Sequence, residues 1–208
     1  MLTFEQQHWH SGHATIAGVD EAGRGPLAGP VVAASVIFDR AWVEAEQHGV
    51  LKKLNDSKQL SEKLREHFFT LLTEQDAVTY GVGQAEADEV DRINILQATY
   101  EAMRRAVNQL PAPPDLILVD GKPVPDLPHP SENLIKGDSR SLSIAAASII
   151  AKVTRDRQML EYAKQYPVYG FDQHKGYGTK RHLDALNEHG PCPIHRTSFK
   201  PVSQLRLF

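Results

Sequence analysis

The sequence predicts an α/β fold, a single sheet flanked by helices, and three observations predict it. Apolar runs of strand length occur at Thr15–Val19, Val31–Phe38 and Leu116–Val119, each bounded by acidic, glycine or proline turns. Long stretches with helical periodicity lie at Asp88–Leu110 and Leu142–Gln165. Acids follow the strands directly, as Asp20-Glu21 and as Asp120-Gly121, at the sheet edge where open α/β folds place their ligands. The 208 residues suit one domain spanning 1–208, with no internal repeat and no linker long enough to divide it.

The elements follow in order. Residues 1–13 are polar, hold His8, His10 and His13, and read as a flexible solvated tail in which nothing fixes a metal geometry. The stretch Ile16–Pro30, IAGVDEAGRGPLAGP, reads as strand, acidic strand end, glycine loop and return. Alternation puts neighbouring side chains on opposite faces, so Asp20 and Glu21 serve one site only if the strand breaks at Ala22-Gly23. The plain alternative is a solvated hairpin turn. Gly23 and Gly25 flank Arg24, which lets backbone amides approach a ligand where a Cβ would obstruct. Residues 40–56 read as irregular or partly helical. Asn55-Asp56-Ser57-Lys58 reads as a helix start, before a stripe at Leu60, Leu64, Phe68, Leu71 and Leu72.

Ala77–Ala85 is a third strand, weakened by Gly81 and Gly83. Leu96, Tyr100, Met103, Val107 and Leu110 form one buried face of the next helix, which the prolines at Pro111–Pro114 end. Leu116–Val119 has the uniform apolarity of a buried parallel strand. Asn133–Ile135 reads as a further strand leading to Asp138, which is either a site residue or a helix cap. The alanine- and serine-rich start of the Leu142–Gln165 helix suits close packing on the sheet. Residues 165–180 form a glycine-rich loop with Tyr166, Tyr169 and Tyr177, suited to sugar or base stacking or to covering the core. Thr179 caps a short helix that stops at His189-Gly190-Pro191, and a basic extended segment, HRTSFKPV, follows.

Composition narrows the function. Cys192 is the only cysteine, so no intrachain disulfide forms. The amino terminus lacks the pattern of a signal peptide and no apolar run spans a bilayer, so a cytoplasmic protein without membrane partners is expected. The net charge is −3, but residues 136–208 hold 12 Lys and Arg against 6 Asp and Glu, leaving −9 for the first 135. A basic carboxy-terminal third beside acidic strand ends suits a phosphate-binding surface next to a cation site, or else ordinary helix surface charge. Asp20, Glu21, Asp120 and Asp138 share one sheet edge in this reading, and carboxylates so close need cations. Oxygen ligands favour Mg²⁺ or Mn²⁺, and two such ions about 4 Å apart stabilise both oxygens of a phosphodiester displacement. No Cys/His cluster offers zinc, no Walker loop is present, and GRGPLAG does not fit the dinucleotide fingerprint. The residues alone thus point to a divalent-metal nuclease or phosphotransfer site.

The segments DEAGRGP at Asp20–Pro26, LVDG at Leu118–Gly121, KGD at Lys136–Asp138, AAASIIAKVTRD at Ala145–Asp156, HKGYGT at His174–Thr179 and the late HRTSF together resemble bacterial ribonuclease HII, from about Thr15 to Val202. The resemblance implies a ribonuclease H-like fold: a five-stranded mixed sheet, its first three strands antiparallel, flanked by helices, with a helical carboxy-terminal region. It implies cleavage of RNA in RNA–DNA hybrids and nicking of DNA duplexes at an embedded ribonucleotide, leaving 3′-hydroxyl and 5′-phosphate ends. Asp20, Glu21, Asp120 and Asp138 would be catalytic and hold the metals. Gly23, Arg24 and Gly25 would contact the 2′-hydroxyl, and Tyr177 would complete recognition by hydrogen bonding and by stacking on the neighbouring sugar. The competing readings are another carboxylate-metal nuclease of this fold, such as a resolvase or hybrid-only ribonuclease H, and a non-catalytic nucleic-acid-binding protein. A monomer is expected.

The last residues, Gln204-Leu205-Arg206-Leu207-Phe208, resemble the bacterial peptide that docks the replication sliding clamp, Gln-Leu-Ser/Asp-Leu-Phe, and depart from it at Arg206. Gln204, Leu205, Leu207 and Phe208 would be the clamp-binding residues. The alternative is that this apolar end packs on the domain.

Overall fold

In the computed structural model, which describes residues 1–205, alternation along β1 (Ile16–Ala22) sends its side chains into two separate cores. Ile16 belongs to the core on one face, while Ala17 and Val19 belong to the core on the other. β1 is the middle strand of a five-stranded mixed sheet ordered β3-β2-β1-β4-β5. It pairs antiparallel with β2 (Val31–Phe38), which pairs antiparallel with β3 (Val78–Ala85). On its other side it pairs in parallel with β4 (Leu116–Asp120), and β4 in parallel with β5 (Ser131–Leu134). The expected ribonuclease H-like sheet, antiparallel in its first three strands, is therefore present.

Helices cover both faces. The amino-terminal residues, expected as a solvated tail, instead form α1 (Thr3–His10), with Leu2, Glu5 and Trp9 buried. The reason is a long-range cap. The Glu5 carboxylate accepts from Ser141 Oγ at 2.5 Å, Ser143 Oγ at 2.7 Å and Ser143 N at 3.0 Å, at the start of α5. Residues 40–46 are the short helix α2 (Arg40–Glu46). α3 (Glu62–Glu74) starts later than Asn55–Lys58: Ser61 is its cap, accepting from Leu64 N at 3.3 Å.

α4 (Ala87–Asn108) packs beneath β3 and β2 but is broken at Asn94, with φ 66° and ψ 161°. The Asn94 side chain restarts the helix by accepting from the amides of Leu96 at 3.0 Å and Gln97 at 3.1 Å. The break rotates the expected stripe, so Leu96 is 38% exposed and the buried face runs through Ala98, Ala102, Met103, Ala106 and Val107. α5 (Leu142–Gln165) crosses the opposite face of the sheet. A Cβ on Gly18 would lie 2.2 Å from the Ser143 carbonyl carbon, so only glycine lets helix and strand backbones meet here. Among the described residues, no helix is long and apolar enough to cross a membrane.

The carboxy-terminal region is helical: α6 (Phe171–His174), α7 (Lys180–His189), capped by Thr179, and α8 (Val202–Leu205). It surrounds a third core that includes Tyr169, Phe171, Leu186 and Val202. Of the docking tail, Gln204 is exposed in α8 and Leu205 packs partly on that core, while Leu207 and Phe208 lie outside the described residues.

Candidate metal centre and substrate cleft

Strand register assembles the acids. Val19 is opposite Val119 in the parallel β1–β4 pair, so Asp20 and Asp120 emerge side by side where that pairing ends. β5 then turns through Lys136, in the left-handed conformation, into a single 3-10 turn at Gly137–Ser139 that brings Asp138 to the same point. The Gly137 amide donates to Asp120 Oδ1 at 2.6 Å and fixes that turn to the strand end. One carboxylate oxygen from each of Asp20, Asp120 and Asp138 lies within 4.8 Å of the other two.

Glu21 stands apart from this triad. β1 ends at Ala22-Gly23, as expected, but too late to turn Glu21 toward Asp20, because Glu21 is still paired opposite Ala33. Glu21 therefore leaves the other face of the strand and turns to Arg24, 3.2 Å away. Three of the four expected acids converge directly, and the fourth borders them.

The donor set fits a cation. Burial, then the charges of Glu21 and Asp120, push Asp20 well above the usual carboxylate range. Burial first and Asp120 second push Asp138 up to about 6. Glu21 is raised by burial, against the opposing pull of Arg24. Among the described residues, none of Asp20, Asp120 and Asp138 has an ion-pair partner within 4.0 Å. Three hard oxygen ligands, two of them buried and none with a cationic partner, form a group suited to a divalent cation.

Lys58 is a cation whose charge acts on these acids. Burial pulls its pKa down, but Asp20, Asp56, Asp138 and Glu21 together outweigh that and raise it. The sequence marked Lys58 only as part of a helix start. Its neighbour Ser57 is buried and hydrogen-bonded to Ser148 at 2.8 Å. A cleft of about 740 Å³ opens beside the acids, lined among others by Glu21, Arg24, Gly25, Lys58, Lys152 and Tyr177.

The glycine loop is held from beneath by two arginines that the sequence shows only as part of a basic carboxy-terminal third. Arg196 is fully buried and donates to the carbonyls of Gly23 at 2.6 Å, Pro26 at 2.9 Å, and Arg24 and Gly29 at 3.0 Å. Arg155 donates to the carbonyls of Pro30, Ala28 and Lys175, each at 3.0 Å. A Cβ on Gly23, whose φ is +94°, would lie 2.1 Å from Arg155 Nε. The loop's carbonyls thus point inward, and among the described residues the amides of Arg24 and Gly25 donate to no protein group. Tyr177 stands at the loop's rim: its Cε1 lies 3.8 Å from where a Cβ on Gly25 would be.

Comparison with known proteins finds a consistent set of relatives. A family model described as Ribonuclease HII matches residues 17–202. Ribonuclease HII of Endomicrobium trichonymphae is 52% identical over 206 residues, which cover 99% of this chain and 94% of that protein. Ribonuclease HII of Geobacter metallireducens is 54% identical over 204 residues, covering 98% and 92%. The crystal structure of ribonuclease H2 from Pyrococcus horikoshii OT3 is similar with a TM-score of 0.74 and 29% identity, covering 92% of this chain and 96% of that one.

Proposed function

The chain belongs to the ribonuclease HII family and is a ribonuclease H, and on that premise we propose that it cuts RNA in RNA–DNA hybrids and nicks DNA duplexes on the 5′ side of an embedded ribonucleotide, leaving 3′-hydroxyl and 5′-phosphate ends. The observation that carries the reading is the register-built triad of Asp20, Asp120 and Asp138 beside a cleft lined by a glycine loop and a tyrosine.

Asp20, Asp120 and Asp138 would hold Mg²⁺ or Mn²⁺, with Glu21 bordering them; a bound ion of this kind supplies positive charge to the attacking and leaving oxygens. Asp120 is oriented for this by the Gly137 amide, and Asp20 by the Glu21 amide at 2.7 Å. The unpartnered amides of Arg24 and Gly25 face a substrate without side-chain obstruction, which suits recognition of a 2′-hydroxyl, the one group that distinguishes RNA from DNA at a single position. Arg24, Lys58 and Lys152 give the cleft the positive charge that backbone phosphates require. Tyr177, 46% exposed, offers its ring face to the adjoining sugar.

The test is metal-dependent cleavage of two duplexes in parallel: a long RNA–DNA hybrid, and DNA with one ribonucleotide. Cleavage of both is expected. Cleavage of the hybrid alone would reduce the reading to a hybrid-only ribonuclease H.

Residues 204–208 are proposed to dock the sliding clamp, with Gln204 exposed to initiate contact. Deleting them should abolish clamp binding and leave cleavage of a short duplex unchanged. A marked fall in melting temperature would show instead that Leu205 and its neighbours belong to the third core.

A further inference from the structure

Tyr177 sits on a loop, and among the described residues its hydroxyl bonds nothing. A side chain that recognises a sugar by stacking must nevertheless be held in one place. Its backbone is held on both sides: the Tyr177 amide donates to the His174 carbonyl at 2.9 Å, and the Tyr177 carbonyl accepts from the Thr179 amide at 2.8 Å. The same carbonyl also lies 2.9 Å from His182 Nδ1. His182 Nε2 lies 3.0 Å from His195 Nε2, and His195 Nδ1 lies 2.9 Å from the Cys192 amide, with the Cys192 Sγ at 3.1 Å and the Cys192 carbonyl at 3.3 Å. Both rings are buried.

The direction of this chain follows from its two ends. The Tyr177 carbonyl can only accept, which puts the His182 proton on Nδ1, and the Cys192 amide, the shortest contact of His195 Nδ1, can only donate, which puts the His195 proton on Nε2. That Nε2–H donates to His182 Nε2, which leaves the His182 proton on Nδ1, pointing at a carbonyl that can only accept. One proton arrangement satisfies every link, and it needs both rings neutral. Burial keeps them so, pushing His182 and His195 each down to about 4. His174 stacks on His182 with centroids 4.6 Å apart and an interplanar angle of 14°, which fixes the ring plane.

The far end of the chain is anchored to the glycine loop. The Gly29 amide donates to the Ile194 carbonyl at 2.9 Å, and the Arg196 amide to the Leu27 carbonyl at 2.8 Å. Ala28 and His195 form a β-bridge. The segment that ends the histidine chain is therefore also an anchor of the loop, beside the Leu27 amide, which donates to the Gly176 carbonyl at 2.8 Å.

We propose that His182 and His195 are positioning residues for ribonucleotide recognition: their proton-ordered chain from the Cys192 amide to the Tyr177 carbonyl holds Tyr177 in register with the Gly23–Gly25 loop. The inference rests on the reading of Tyr177 given above. It assigns work in substrate selection to two side chains that line no part of the cleft.

The test compares wild type, Tyr177→Ala, His182→Phe and His182→Gln by kcat/KM on a single-ribonucleotide duplex and on a long hybrid. His182→Phe keeps a ring against His174 but cannot bond at either end. It should lower the ratio of single-ribonucleotide to hybrid cleavage by roughly five- to tenfold, the scale of one lost hydrogen bond. His182→Gln, with one donor and one acceptor, should recover most of that ratio. Proportional loss on both substrates, tracking melting temperature, would overturn the proposal. If Tyr177→Ala lowers the ratio and His182→Phe does not, the coupling fails while the reading of Tyr177 stands. If Tyr177→Ala leaves the ratio unchanged, the reading of Tyr177 fails and the proposal with it. Imidazole nitrogen NMR of the wild-type protein needs no variant to fold: the proton should be on Nδ1 of His182 and Nε2 of His195, and the reverse assignment would refute the chain.

Discussion

Replacing Arg196 should uncouple the glycine loop from the fold. The side chain is fully buried and donates to four carbonyls, those of Gly23, Arg24, Pro26 and Gly29. Arg196→Met fills similar space and supplies no donor. Three of those bonds are buried, to Gly23, Pro26 and Gly29, and each stranded carbonyl costs about 1–3 kcal/mol. Against this, the variant no longer desolvates a guanidinium, which offsets several kcal/mol. The balance is a loss of about 3–5 kcal/mol, the scale for breaking a buried charged network. Arg196→Lys keeps the charge but not the planar fork, so it should fall between wild type and Arg196→Met. Burial lowers the Arg196 pKa to about 9, which still leaves it cationic at neutral pH. Urea unfolding measures the stability, and cleavage of the single-ribonucleotide duplex at low temperature measures the loop. A loss below about 1 kcal/mol for Arg196→Met, or an Arg196→Lys protein indistinguishable from wild type in both assays, would refute the reasoning.

Asp120→Asn keeps the acceptor for the Gly137 amide but removes the charge, so cleavage should nearly vanish while the fold persists; the stabilisation that Mn²⁺ gives the wild type in a thermal melt should disappear with it. Gly18→Ala drives a Cβ to 2.2 Å from the Ser143 backbone and should cost about 3 kcal/mol or more, read by denaturant midpoint. Acid should weaken the fold through the histidines: each titrates at about 4 in the native state against about 6.5 unfolded, so the unfolded chain gains protons first and stability falls as pH drops from about 6.5 toward 4. His195→Gln removes one such group, and its loss over that window should be shallower than that of wild type by up to about 1.4 kcal/mol per pH unit, the carboxylates common to both cancelling.

The site was legible where local pattern determines position. Asp20 and Asp120 each follow an apolar strand run directly, and such an acid lies at a sheet edge whatever the rest of the chain does. Asp138 was ambiguous because a turn residue before a helix looks the same whether it caps or coordinates. Arg155 and Arg196 carry no local mark, because arginine is mostly exposed and most of their partners are carbonyls 125 or more residues away. The same holds for Glu5, which looks like a tail residue until Ser141 and Ser143 are brought to it. Asn94 broke a stripe that periodicity alone would continue, since its side chain can satisfy the amides that the break exposes.

The strand order also bears on how the chain reaches this state. β1, β2 and β3 form an antiparallel meander within residues 16–85, but β1 must then wait for β4, and Thr15 meets Asp115 across a separation of 100 residues. Glu5 waits longer, for Ser143. Contacts of such span form slowly, because the loop must close before they repay it. During synthesis the meander can pair as it emerges, leaving the side of β1 that faces β4 as an open strand edge, the kind of edge on which chains aggregate. Asp20 rides on the early half and Asp120 and Asp138 on the late half, so the cation site does not exist in a half-made sheet.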